Sequence, residues 1–185
     1  MRFDLHKKEI VNQKEIPNAV FGNLASYSWA GHTDFDLSAD EEGMWLIYST
    51  YDNGLDIVVS KIDPISLTIM EQDQGKYHHH SRKHVRYETF QTNWKKLWSG
   101  NAFTACGVLY VLKKYNQKET KLNYIYDMHT KQSKMIEIPF TIKYKWLAQL
   151  SYNHKFRKLY GWDKGNLVTY DVTFYEPDDP GYFVL

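Results

Sequence analysis

The chain has 185 residues, enough for one domain with a sizeable core. Its 23 Lys+Arg against 22 Asp+Glu leave no overall field that would favour nucleic acid or an anionic membrane. No apolar run approaches the roughly 20 residues of a membrane span, and the charged start Met1–Glu9 lacks the apolar core of a signal peptide. On composition alone the chain reads as soluble and compatible with the cell interior, with a local basic patch in Lys76–Arg86.

The 15 Tyr, 9 Phe and 6 Trp suit strands of a half-wet sheet, because Tyr and Trp bury area and keep a polar tip. Strand signals dominate in chain order. Met44–Thr50 and Asp56–Ile62 are β-branched and aromatic runs joined by Asp52-Asn53-Gly54, a hairpin-turn signature because Asn-Gly tolerates positive φ. Gly107–Leu112, Leu122–Tyr126, Met135–Ile138, Lys158–Trp162 and Leu167–Thr173 have the same character, and turn residues separate them. No stretch sustains a helical period with caps, so the chain is all-β. Cys106 is the single cysteine, which excludes an internal disulfide and any CxxC pair. It lies in the apolar-leaning run Ala102–Leu112, and is either a buried inert thiol or a residue whose partner lies outside this chain.

A repeat sets the architecture. Asp36, Asn101 and Ser151 each stand nine residues before the aromatic of Met44-Trp45, Leu109-Tyr110 and Leu159-Tyr160. The interval from 36 to 101 contains Gln72–Glu88, which reads as a loop insertion carrying His78, His79, His80 and His84. Without it the period is near 50 residues, that of a β-propeller blade of about four strands. Equivalent residues at the start of each innermost strand would then meet near the propeller axis. About three blades plus part of another cannot close a ring of about 4–8 blades, so further sequence before Met1 is expected.

Four motifs in register carry a resemblance. They are Gly31–Thr50 (GHTDFDLSADEEGMWLIYST), Ile57–Pro64, Asn101–Tyr110 (NAFTACGVLY) and Lys158–Trp162 (KLYGW). Together with Arg2-Phe3-Asp4-Leu5 they resemble the olfactomedin domain in order, from about residue 2 to Phe174, interrupted by the histidine-containing insertion. The resemblance implies a five-bladed β-propeller, present here as its C-terminal two-thirds over residues 1–174, with 72–88 inserted and 175–185 as a tail. It implies a non-enzymatic extracellular protein that binds matrix, adhesion or cell-surface proteins, with oligomerisation set by upstream coiled-coil or collagen-like segments. It also implies that Cys106 pairs with a cysteine near the domain's N-terminus, outside this chain. An unclosed ring would expose sheet edges and apolar blade faces, so poor stability is expected of residues 1–185 alone.

Many olfactomedin domains hold calcium on the axis. The matching positions are the carboxylate of Asp36, the side-chain carbonyl of Asn101 and the backbone carbonyls of Ala102 and Leu150. Ser151 stands where a second aspartate usually completes the set. Calcium takes about 6–8 oxygen ligands, and carboxylates supply the compensating charge; a neutral hydroxyl weakens the site. Asp34, expected on the same strand face two residues before Asp36, would compensate in part through water.

An alternative is a metal-dependent propeller hydrolase using Asp34 and Asp36, although no signature supplies the nucleophile and acid roles. The adjacent histidines cannot all face one ion and carry no cysteine or carboxylate pattern, so they read as an exposed loop and not as a zinc site. Asp40-Glu41-Glu42-Gly43 reads as an acidic solvated turn. No Ser-His-Asp order, phosphate-cradling loop, dinucleotide fingerprint or Asn-x-Ser/Thr sequon is present.

Overall fold

β-branched and aromatic runs punctuated by turns become strands throughout the computed structural model, which describes residues 1–70, 88–174 and the strand Phe183–Val184. The expected insertion, with its histidines and the basic patch, lies outside the described residues apart from Glu88. So does most of the expected tail.

A short hairpin, β1 (Arg2–Asp4) and β2 (Glu9–Asn12), comes first. Three antiparallel meanders follow in sequence order. The first is β3 (Asp36–Asp40), β4 (Gly43–Ser49), β5 (Asp56–Ile62) and β6 (Thr89–Lys95). The second is β7 (Asn101–Ala105), β8 (Val108–Leu112), β9 (Glu119–Asp127) and β10 (Gln132–Thr141). The third is β11 (Leu147–Asn153), β12 (Lys158–Asp163) and β13 (Asn166–Asp171). A last pair joins β14 (Thr173–Phe174) to β15 (Phe183–Val184). The described helix is one 3-10 turn, Lys96–Trp98, entering β7.

The strands β4, β5, β7, β8 and most of β9 in the first two sheets bury both faces, which is how stacked sheets share their cores. Trp45, Ile47, Ile57 and Val59 of the first sheet pack on Ala102, Leu109, Val111 and Tyr124 of the second. The opposite face of the second sheet, with Phe103, Tyr110, Leu122 and Ile138, packs on Leu147, Leu150, Leu159 and Val168 of the third. The outer face of the first sheet, Leu46, Tyr48 and Val58, is covered by Ile16, Ala19 and Ile69. Each fully buried side chain of this size contributes about 1.5–3 kcal/mol. On the outer face of the third sheet the cross-strand partners Trp162 and Leu167 are exposed.

The short turns differ in ways that matter for the site. Cys106 and Gly107, at φ +50 and +70, form a two-residue turn between β7 and β8 of the type favoured in hairpins. A Cβ on Gly107 would lie 2.4 Å from Glu42 Oε1 and 2.5 Å from the His129 ring, so only glycine fits. In the β4–β5 connection the positive φ falls on Gly54 and Leu55 and not on Asn53, because Leu55 N–H bonds back to the Thr50 carbonyl at 3.1 Å and closes a wider loop.

The inner strands β3, β7 and β11 lie against one another pairwise. Ser38 stitches the first two together. Its hydroxyl oxygen accepts from the Thr104 N–H and faces the Thr104 hydroxyl, each at 2.8 Å, and both residues are buried. Ser38→Ala would leave the buried Thr104 N–H without its acceptor. A loss of about 1–3 kcal/mol is expected, read as a lower urea midpoint at unchanged slope.

Candidate functional site

Asp36 and Asn101 open β3 and β7, while Ser151 is the fifth residue of β11. Ladder register explains the difference. Trp45 pairs with Ser38 and Tyr110 with Phe103, two residues after Asp36 and Asn101, whereas Tyr160 pairs with Ser151 itself. The equal nine-residue spacing therefore does not give equal positions, because the β11–β12 turn spans residues 154–157 where the other two turns have two residues. Gln149, opposite Trp162, occupies the ladder position that matches Asp36 and Asn101. Its amide Nε2 is the group from β11 that approaches Asp36, at 3.5 Å from Oδ1. Sequence spacing missed Gln149; only the length of the His154–Arg157 turn, two residues longer than the others, would have signalled it.

Asp36 is half-buried, and its Oδ2 accepts the Tyr27 hydroxyl at 2.8 Å. Burial pushes its carboxyl above the usual range, opposed by the bonds from Tyr27 and Gln149 and by the charge of Lys96. Asn101 is buried, and its side-chain carbonyl accepts the N–H of Ala102 at 3.0 Å. Leu150 is buried and Ser151 half-buried on β11.

A buried cation stands behind Asp36. The Lys96 side chain is fully enclosed; its ammonium donates to the carbonyls of Thr33, Asp34 (2.9 Å) and Ile47 (3.4 Å) and lies 4.5 Å from the centre of the Tyr27 ring. Burial lowers its pKa to about 8, and Asp36 and Asp34 limit the fall. The same enclosure, followed by the Asp36 charge, holds the Tyr27 hydroxyl well above its ordinary range. Lys96 had no motif to single it out, being one of 23 basic residues.

Asp34 does not take the role expected of it. It precedes β3 and is not on the strand face with Asp36; its carboxylate is buried and accepts the N–H groups of Asn23 at 2.8 Å and Ala25 at 3.4 Å, which folds the 23–34 loop over it. The acidic turn is likewise not simply solvated. Asp40 is buried and accepts from Trp45 Nε1 (2.7 Å), Glu42 N (2.9 Å) and Gly107 N (3.0 Å). Glu41 accepts from Cys106 N at 3.0 Å and from the Tyr152 hydroxyl at 2.8 Å, joining all three sheets. These bonds outweigh the opposing burial and hold the Glu41 carboxyl below its usual range. A turn of this sequence acts as a bracket because the Cys106-Gly107 turn presents two free N–H groups beside it.

Comparison with known proteins decides what the stacked sheets belong to. The olfactomedin-like domain family matches residues 1–177. The chain belongs to the olfactomedin family. Its relatives include rat myocilin, 36% identical over 176 residues that make up 95% of this chain and 32% of that protein. Rabbit myocilin is 38% identical over 172 residues, 93% of this chain and 32% of that protein. Human myocilin is 37% identical over 172 residues, 93% of this chain and 31% of that protein. The chain thus spans about a third of the length of the curated relatives it matches. The all-β meanders with adjacent first strands have the architecture of the olfactomedin β-propeller.

For the axial calcium that the sequence resemblance implies, the donors here fit in type and fall short in charge. Asp36 and Asn101 offer oxygen, as do the carbonyls of Ala102 and Leu150, and Ser151 adds a neutral hydroxyl. Asp36 is the single carboxylate of the set, and the nearby Lys96 ammonium already balances it. Among the described residues no group of three or more His, Cys, Asp or Glu is placed to hold a metal. In the olfactomedin frame Cys106 sits exposed at the tip of its turn, with no disulfide partner in the chain. Partial burial of the thiol group against the acidic turn, and then the charge of Glu41, push its pKa up to about 12. It is therefore held as a neutral thiol at physiological pH.

Proposed function

We propose that this chain is the propeller portion of a non-enzymatic extracellular protein that works by binding matrix or cell-surface proteins. Cys106 joins in a disulfide to a cysteine outside residues 1–185, and further strands complete a five-bladed ring. The state of the two candidate carboxylates supports the non-enzymatic reading: Asp34 is consumed by two backbone N–H groups, and Asp36 by Tyr27, Gln149 and the Lys96 charge. Neither is a solvated acid or nucleophile poised for the chemistry of a glycosidase pair. Among the described residues no helix is long and apolar enough to cross a membrane.

Calcium on the axis is part of the proposal in a weakened form. Asp36, Asn101, Ser151 and the carbonyls of Ala102 and Leu150 would hold it, and the ion would tie β3, β7 and β11 together. With one carboxylate, the affinity belongs at the weak end of extracellular modules, on the order of 10⁻³ M.

The full-length protein expressed from its native transcript is expected in the culture medium, with Cys106 resistant to alkylation until reductant is added. Retention in the cytosol, with Cys106 alkylated in the unfolded protein without reductant, would overturn the reading. Ester, lactone or glycoside hydrolysis abolished by Asp36→Ala would establish the hydrolase instead.

A further inference from the structure

The end of the molecule at which the inner strands begin carries an uneven charge that the near-neutral chain as a whole conceals. Two loops meet there, 113–118 between β8 and β9 and 142–146 between β10 and β11, beside the β12–β13 turn at 164–165. Lys113, Lys114, Lys118, Lys143, Lys145 and Lys164 come from these segments, and all but half-buried Lys114 are exposed. Among the described residues, Lys114, Lys118, Lys145 and Lys164 form no ion pair. Lys143 rests over the Tyr144 ring at 5.2 Å. The acidic residues nearby do not offset them. The Asp163 carboxylate is buried and accepts the N–H groups of Tyr144 (2.6 Å) and Trp146 (2.8 Å). Glu119, the first residue of β9, accepts the Thr141 hydroxyl, and the loops themselves contain no acid.

Aromatic rings stand among the lysines. Tyr144 and Trp146 are 38% and 46% exposed, which leaves ring surface open to a ligand. Trp146 is held by an edge contact with Tyr115 at 5.0 Å, and Tyr115 in turn lies 6.5 Å from Trp29. The loop is also fixed along its backbone. Besides the two bonds to Asp163, Lys164 N donates to the Trp146 carbonyl at 2.8 Å and Leu147 N to the Tyr115 carbonyl at 2.9 Å. A surface already ordered in this way loses little conformational freedom on binding.

We propose that this lysine and aromatic face binds a sulfated polysaccharide. Ammonium groups neutralise the sulfates, and the exposed rings of Tyr144 and Trp146 lie against the apolar faces of the sugar rings. An acidic peptide is held by arginine forks, a sheet edge or an apolar slot for its side chains, and these segments carry lysine and no arginine. The N–H groups of Tyr144, Trp146 and Lys164 are all taken, and the face is an open surface, so it suits a repeating polyanion recognised by charge and ring contact. The inference rests on the extracellular placement proposed above. It is tested on purified protein, so secretion and polysaccharide binding can succeed or fail separately.

The probes are heparin as the sulfated polymer, hyaluronan as a carboxylate-only polymer, and poly-glutamate as the acidic peptide. Full-length protein is expected to bind heparin at salt concentrations where it releases hyaluronan and poly-glutamate. Lys143→Ala with Lys145→Ala should reduce the slope of log affinity against log salt by roughly one per lysine removed, by counterion release. Trp146→Ala should weaken heparin binding several-fold at fixed salt, although it changes no charge. Lys7→Ala with Lys8→Ala, on the β1–β2 turn, should leave binding unchanged, and equal melting temperatures would show that the variants stay folded. Heparin binding unaffected by both the lysine pair and Trp146→Ala would overturn the proposal, as would equal affinity for poly-glutamate.

Discussion

Lys96→Met is expected to lower the melting temperature of the full-length protein by about 10 °C. The ammonium satisfies the carbonyls of Thr33, Asp34 and Ile47 and compensates Asp36, all in an enclosed setting. Methionine fills the volume and restores none of these bonds. Removing one partner of a buried charge pair costs about 3–5 kcal/mol, and 1 kcal/mol shifts Tm by roughly 2–4 °C at this chain length. A pH series separates the charge from the packing. The folded pKa of Lys96 is about 8, below the ordinary 10.5, so the unfolded chain binds the extra proton between those values and stability rises with pH across that window. The gain from this group is at most about 3 kcal/mol. Above about pH 10 the unfolded tyrosines ionise while Tyr27, Tyr110 and Tyr152 are held protonated, and that opposing trend lowers stability. With Cys106 in its proposed disulfide, so that no thiol titrates there, the wild type should gain stability from about pH 8 to 10, and Lys96→Met should not. A parallel rise in both proteins would refute the assignment of that gain to Lys96.

The fold was legible because its signals are local. Asp56–Ile62 reads as a strand from β-branched residues alone and is one, and Lys158–Trp162 is extended by a single residue. β11 (LAQLSYN) has no β-branched residue and escaped; β6 (TFQTNWK) escaped because polar residues interrupt its Thr, Phe and Trp, and pairing partners fix both strands. Olfactomedin motifs identified the family. The convergence of inner strands also followed from the period, but the matching of residues within them did not. Register depends on turn length, so the same nine-residue spacing meant one thing for Asp36 and Asn101 and another for Ser151. Asp34 and Asp40 illustrate the other limit. A carboxylate's partners are backbone N–H groups folded onto it from elsewhere, which residue identity does not announce. Lys96 was silent for the same reason, since burial is a property of the packed sheets.

Charge at the axis makes the second large prediction. Wild-type full-length protein, with one carboxylate balanced by Lys96, should gain little from calcium: about 1.4 kcal/mol in 10 mM ion if Kd is on the order of 10⁻³ M, or roughly 3–5 °C in Tm. Ser151→Asp adds the missing negative charge on the β11 face shared with Gln149. In chelator it should be less stable than wild type, because a carboxylate replaces a half-buried hydroxyl on the strand face from which Gln149 reaches Asp36. In calcium the order should reverse. A Kd near 10⁻⁵ M would give about 4.1 kcal/mol at a thousandfold excess of ion, or roughly 8–16 °C. Ser151→Asn carries a comparable volume without the charge and should behave like wild type, which separates electrostatics from size. Gln149→Met tests the other contact from β11: losing an amide donor at 3.5 Å should scarcely alter stability in chelator. If Ser151→Asp gains no more from calcium than wild type does, the axis is a hydrogen-bonded polar core closed by Lys96, and the ion has no place in this protein.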